Sequence, residues 1–157
     1  MTRIAALTFC ILLSACGVNL PPHAQSLAVD HGGPSSDLDH MGHMLNTARA
    51  RFGIDPLARN ANLDRAALEH ARDMAAGGYI SHRSRDGTTP GQRARISGYQ
   101  YCRIAENIAK GFDDAQSVHE AWMRSENHRK NNLLPEVVEY GFGHAGDVWV
   151  LMLGRRC

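Results

Sequence analysis

Two periods of apolar residues organise the chain, one helical and one alternating. Leu38, Met41, Leu45, Ala48 and Phe52 recur every three or four positions, and Gly53 follows as a stop. That spacing predicts an amphipathic helix with one buried stripe. A second helix is predicted from an Asn62 cap through Leu63, Ala67, Ala71 and Met74 to Gly77-Gly78. Thr89-Pro90-Gly91-Gln92 announces a short third, with proline at the first helical position and glutamine placed to complete a capping box. A fourth starts near Asp113, sets Ala115, Val118 and Trp122 on one face, and fades at Ser125. Then the pattern changes. "EVVEYGFGH" and "DVWVLMLG" are β-rich runs joined at Ala145-Gly146, a hairpin signal. The second run is apolar on both faces, which predicts an interior strand.

Helices first and strands last, without βαβ alternation or an internal repeat, point to α+β layers and away from a doubly wound sheet. One further strand carries a problem. In "IAENIAKG", residues 104–111, alternation puts Ile104, Glu106 and Ile108 on the same face. A carboxylate on an apolar face is costly unless a partner meets it or it takes up a proton. Glu106 therefore requires a partner from elsewhere in the chain.

At 157 residues the chain has the length of one domain, and 43% hydrophobic residues suit a folded one. A net charge of +1, with no basic stripe interleaved with aromatics, gives no footprint for nucleic acid. The N-terminus is more specific. Arg3 precedes an apolar run from Ile4 to Leu13, too short for a mature membrane span and suited to a signal peptide. The run ends in Leu13-Ser14-Ala15-Cys16, which resembles the bacterial lipobox, in which the cysteine is lipidated and becomes the first mature residue. An ordinary secretory signal cleaved near Ala15 is the other reading. Residues 1–15 are thus expected to be a lipoprotein signal peptide, 16–36 a Pro-, Gly- and Ser-rich tether, and 37–157 the domain. The protein is expected to be exported and held at the cell envelope by its lipid, on the outer-membrane or periplasmic side in a Gram-negative cell.

Export places the cysteines in an oxidising compartment. With Cys10 leaving with the signal and Cys16 taking the lipid, Cys102 and Cys157 remain; they most simply form one disulfide, two free thiols being the other reading. Three ionisable residues stand out as candidate chemistry: His82 after a helix stop, Glu106, and His128 after the fourth helix. Two imidazoles and a carboxylate can share a proton network or hold a divalent metal. His31, His40 and His43 read as solvated tether residues, although His40 and His43 lie one helical turn apart. His70 reads as a surface or satisfied core residue. Ser81 lacks a nucleophile-elbow pattern or an oxyanion-donating glycine loop.

"HARDMAAGGYISHRSRDGTTPGQRARISGY", "AENIAKG", "AWMRSENHRKNNLL" and "YGFGHAGDVWVLMLG" follow one another in an order and spacing that resemble the CAP superfamily of cysteine-rich secretory, antigen 5 and pathogenesis-related proteins, in its short bacterial SCP-like branch. The resemblance covers about residue 41 to the end. It implies a three-layer α-β-α sandwich with a central antiparallel sheet, and a cleft holding two histidines and two glutamates. Carried over by motif, these are His82, Glu106 and His128. The second glutamate of larger members falls here on Ser125, with Glu126 one place later, a turn of about 100° on a helix. Asn127 stands where bacterial relatives place glycine. The resemblance therefore implies a triad, with Glu126 and Asn107 as further cleft residues and Asn107 bracing the backbone.

The function expected is a non-enzymatic binding module for a lipid, small ligand, peptide or cell-wall component, with a cleft that binds a divalent metal, zinc for preference. The alternative is a metal-dependent hydrolase at the envelope, with Glu106 as base. The two compete for the same side chain. If Glu106 is a ligand no base remains, and if it is the base only two histidine ligands do.

Overall fold

Strand β4 (Val148–Arg156) is buried along seven consecutive residues and sits inside the sheet, as its two apolar faces require. The computed structural model describes residues 34–157; the expected signal peptide, Cys16, most of the tether and His31 lie outside the described residues. The other strands are β1 (Ala58–Arg59), β2 (Tyr101–Lys110) and β3 (Glu139–Ala145), in the order β1-β3-β4-β2. The three long strands pair antiparallel. The central antiparallel sheet is as expected, and at its edge β1 adds a parallel pairing to β3 through two residues. So short a strand leaves no period to read.

Among the described residues five helices cover the sheet: α1 (Pro34–Arg51), α2 (Ala61–Gly77), α3 (Pro90–Ile96), α4 (Ala115–Arg124) and α5 (Glu126–Asn132). Alternation along β4 divides the core in two. Trp149, Leu151 and Leu153 face Met41 and Leu45 of α1 and Val118 and Trp122 of α4. Val148, Val150 and Met152 face Leu63, Ala67, Ala71 and Met74 of α2 and Ala94 of α3. This is the α-β-α sandwich, with a hydrophobic layer on each side of the sheet.

The helical stripes are where the spacing puts them, with a few shifts at their ends. Helix α1 begins at Pro34, three residues before the expected boundary, and Phe52 is 61% exposed beyond its end. Asn60, not Asn62, caps α2, accepting from the amides of Asn62 and Leu63. The capping box of Thr89 and Gln92 is formed. Asp114 caps α4. Gly146 turns the β3–β4 hairpin at φ 58°, in the left-handed region open to glycine. The glycines of "YGFGH" have a separate role, since a Cβ on Gly143 would lie 2.5 Å from the Leu68 amide nitrogen of α2. They let that helix rest directly on the strand. The Cys102–Cys157 disulfide is present and ties the end of β4 to the start of β2.

Candidate functional site

Glu106 lies in the middle of β2, on the face that α2 and α3 cover, and its side chain is 2% exposed. Its partners come from two directions. The Arg93 guanidinium of α3 donates from Nη2 to Glu106 Oε2 at 2.6 Å. His82, in the loop between α2 and α3, puts Nδ1 2.7 Å from Oε1. An ionised carboxylate only accepts, so the ring proton belongs on Nδ1, which leaves Nε2 on a side chain 54% exposed. Both carboxylate oxygens are thereby engaged.

Arg93 is the residue that sequence reasoning missed. It is buried, and it also donates to Ser84 Oγ at 3.1 Å and to the carbonyls of Thr88 at 2.9 Å and His82 at 3.0 Å. One guanidinium therefore neutralises Glu106 and shapes the loop that presents His82. Ser84 Oγ is 3.3 Å from His70 Nδ1, and His70 Nε2 is 2.8 Å from the Ser81 carbonyl. His70 is a satisfied core residue. Burial, the largest influence, holds its pKa below the usual value. Ser81 contributes a carbonyl and a turn hydroxyl, its Oγ accepting from the Arg83 amide.

His128 does not sit in a loop, as its position after Ser125 suggested, but in α5, a helix of polar residues. Three asparagines fix that helix against β2. Asn107 Nδ2 donates to the His128 carbonyl at 3.0 Å and to Asn132 Oδ1 at 2.8 Å. Asn131 Nδ2 donates to the Glu106 carbonyl at 3.1 Å and to Asn107 Oδ1 at 2.8 Å. Beneath them the buried Arg49 donates to the carbonyls of Asn132 and Leu134, each at 3.0 Å. His128 is half-buried, and burial first, then the nearby His82, lower its pKa. The two histidines thus lie close enough for charge on one to disfavour charge on the other. Glu126 opens α5, exposed, and pairs with Lys130 at 2.7 Å.

The donor set does not form a three-ligand metal centre. Among the described residues no group of three His, Cys, Asp or Glu side chains is placed to hold a metal ion. Glu106 explains why, since one oxygen carries an arginine and the other an imidazole N–H. A carboxylate so occupied is neither a free ligand nor a free base. What the site offers outward is the exposed His82 imidazole over a neutralised acid, with the half-buried His128 near enough to feel its charge. A cavity of about 330 Å³, lined by Glu69, His70, Asp73, Ser84 and Arg85 among others, opens on the other side of Arg93.

Comparisons with known proteins give the family and the fold. The uncharacterized protein YkwD of Bacillus subtilis is 34% identical over 108 residues, which is 68% of this chain and 42% of that protein. The uncharacterized membrane protein YlbC of the same organism is 28% identical over 100 residues, covering 64% of this chain and 29% of the relative. The chain therefore spans less than half the length of the curated relatives it matches. Among solved structures, an extracellular protein containing an SCP domain from Bacillus anthracis superposes with a TM-score of 0.76 at 26% identity, over 78% of this chain and 41% of that one. An outer surface protein of Borrelia burgdorferi gives 0.73 at 22% identity, over 78% of this chain and 94% of its own, and so shares the fold. The family model for CAP, the cysteine-rich secretory protein family, matches residues 43–149, the span that carries α2 through β3, both histidines and Glu106. This chain belongs to the CAP, or cysteine-rich secretory protein, family.

Proposed function

We propose that this CAP domain is an extracytoplasmic binding module without catalytic activity, held at the cell envelope by a lipid on Cys16. Its cleft takes a polar ligand between His82 and His128. The observation that carries the reading is the double engagement of Glu106. A hydrolase needs a general base whose lone pair reaches a water. Here the one buried carboxylate of the cleft spends both oxygens on Arg93 and His82. It acts as an anchor that orients an imidazole.

The character of the ligand follows from the lining. Ligand sites for lipid tails are walled by apolar and aromatic side chains. The site presents the exposed His82 and the half-buried His128, and beyond Arg93 lies a cavity whose lining residues include Glu69, Asp73, Ser84 and Arg85. Hydrogen-bonding ligands, a peptide or saccharide of the cell wall, suit it better. The location is supported by the signal-like N-terminus, by a disulfide that belongs in an oxidising compartment, and by the Bacillus anthracis and Borrelia relatives described as extracellular and outer-surface proteins.

Sedimentation with isolated cell-wall material tests the reading. The wild-type protein is expected to pellet with the wall, and His82→Ala/His128→Ala to stay in the supernatant. Neither should release soluble sugar or peptide. Release by the wild type that the double variant lacks would replace binding with hydrolysis.

A further inference from the structure

The two ends of the sheet carry opposite charge. At the hairpin end Asp147 stands in the β3–β4 turn and its carbonyl accepts from the Gly111 amide. Asp113 and Asp114 follow into α4, with Lys110 beside them. Asp37, in the first turn of α1, reaches the same end, 3.4 Å from His144 of β3. His40 and His43 belong to this helix and not to the tether.

The far end, closed by the Cys102–Cys157 disulfide, is basic. Arg103 and Arg155 are direct partners across the β2–β4 ladder. Alternation from Ala105 and Leu153 puts both on the face that α1 and α4 cover. On the other face Arg156 lies over the Tyr99 ring and Arg95 over the Tyr101 ring. All four arginines are exposed. Like charges directly opposite one another destabilise a ladder. Among the described residues only Arg156 of the four has a carboxylate partner, Glu139 at 3.5 Å, which already accepts from Tyr99 and Asn60. An apolar residue completes the row. Extending the Glu139–Gly154 register by one puts Val138, 41% exposed, opposite Arg155.

We infer that this end of the sheet docks on a bilayer rich in anionic phospholipid, its guanidinium groups on headgroup phosphates and Val138 at their level. Shape favours a plane over a small anion or a polymer strand. The arginines flank the tip of the sheet on both faces. None of them lines the cavity beyond Arg93 or the cavity of about 460 Å³ between α1 and α4. Arginine grips phosphate with a planar fork of donors, and each basic residue near an anionic bilayer strengthens adsorption about fivefold. The acidic end is repelled by the same surface, so the field of the domain turns the disulfide end toward it. The 17 residues from Gly17 to Gly33 span at most about 60 Å, ample for a domain anchored at Cys16 to present that end.

The test follows arginine modification by phenylglyoxal, mapped by mass spectrometry, on the exported protein in excess vesicles. One set is phosphatidylcholine alone and the other phosphatidylcholine with an equal part of phosphatidylglycerol. Arg103 and Arg155 are expected to react about fivefold more slowly, or slower still, on the anionic vesicles. Arg72, exposed on α2, should react equally on both. Salt at about 1 M, where the Debye length is about 3 Å, should remove the difference. Arg103→Gln/Arg155→Gln should lose the protection of Arg95 as well. Flotation separates this surface from the lipid anchor. A lipid on Cys16 carries the protein up with either vesicle, and a chain without it should float with the anionic ones alone. Equal labelling of Arg103 and Arg155 on both vesicles, equal slowing of Arg72, protection that survives salt, or Arg95 still protected in the double variant would overturn the assignment. So would protection by soluble polyphosphate in place of vesicles, which would give the surface to a polymer.

Discussion

Arg93 donates to Glu106, to Ser84 and to two carbonyls, while its neighbour two residues on, Arg95, is exposed and lies over the Tyr101 ring at 4.4 Å. In "GQRARI" nothing local tells the two arginines apart, and arginine is ordinarily an exposed residue. That Glu106 needed a partner was legible from its place between two isoleucines. Which residue supplied it was not, because the pairing spans 13 positions and depends on how α3 docks. The pair makes a definite prediction. Breaking a buried ion pair from one side leaves an uncompensated charge and costs about 3–5 kcal/mol. Arg93→Met should lower stability in urea by that order, and adding Glu106→Gln should recover part of the loss. A single variant within about 1 kcal/mol of wild type would mean that Arg93 is not what neutralises Glu106.

At the scale of elements, apolar periodicity reveals the stripes of α1, α2 and α4 and the alternation of β4, because those patterns are consequences of burial. It is blind to α5. "ENHRKNN" has no apolar residue, and the helix is held by asparagine hydrogen bonds and the Arg49 contacts beneath it. That is why His128 reads as a loop residue in the sequence. The glycines of β3 carry a different kind of information, which only close approach explains. A methyl on Gly143 would meet the backbone of Leu68, and one on Gly141 would lie 2.1 Å from the Leu63 carbonyl carbon. Backbone cannot move aside as a flexible side chain can. Gly143→Ala should therefore destabilise by about 1–3 kcal/mol through displacement of α2 from the sheet. Thermal unfolding of that variant is the check, and an unchanged midpoint would contradict direct helix-on-strand packing.

Across the whole molecule, His70, His119 and His128 all have pKa values lowered from 6.5, each chiefly by burial. As pH falls, the unfolded chain protonates these rings before the folded chain does. Stability they allow is complete above about pH 6.5 and declines below it until the folded values are passed. Unfolding midpoints measured from pH 8 to pH 5 should be flat at first and then fall, and a midpoint rising on acidification would contradict the burial of these histidines. The sandwich, its hairpin and its disulfide were readable from pattern and cysteine arithmetic. The state of the cleft was not, because His82, Arg93, Glu106 and His128 come from a loop, two helices and a strand whose docking no local spacing encodes. On the proposed reading the cleft holds a ligand over a neutralised Glu106. Native mass spectrometry of the protein released gently from the cell envelope, beside His82→Ala/His128→Ala treated alike, addresses it most directly. A bound species is expected on the wild type and absent from the double variant. Identical spectra, with or without an adduct, would contradict it.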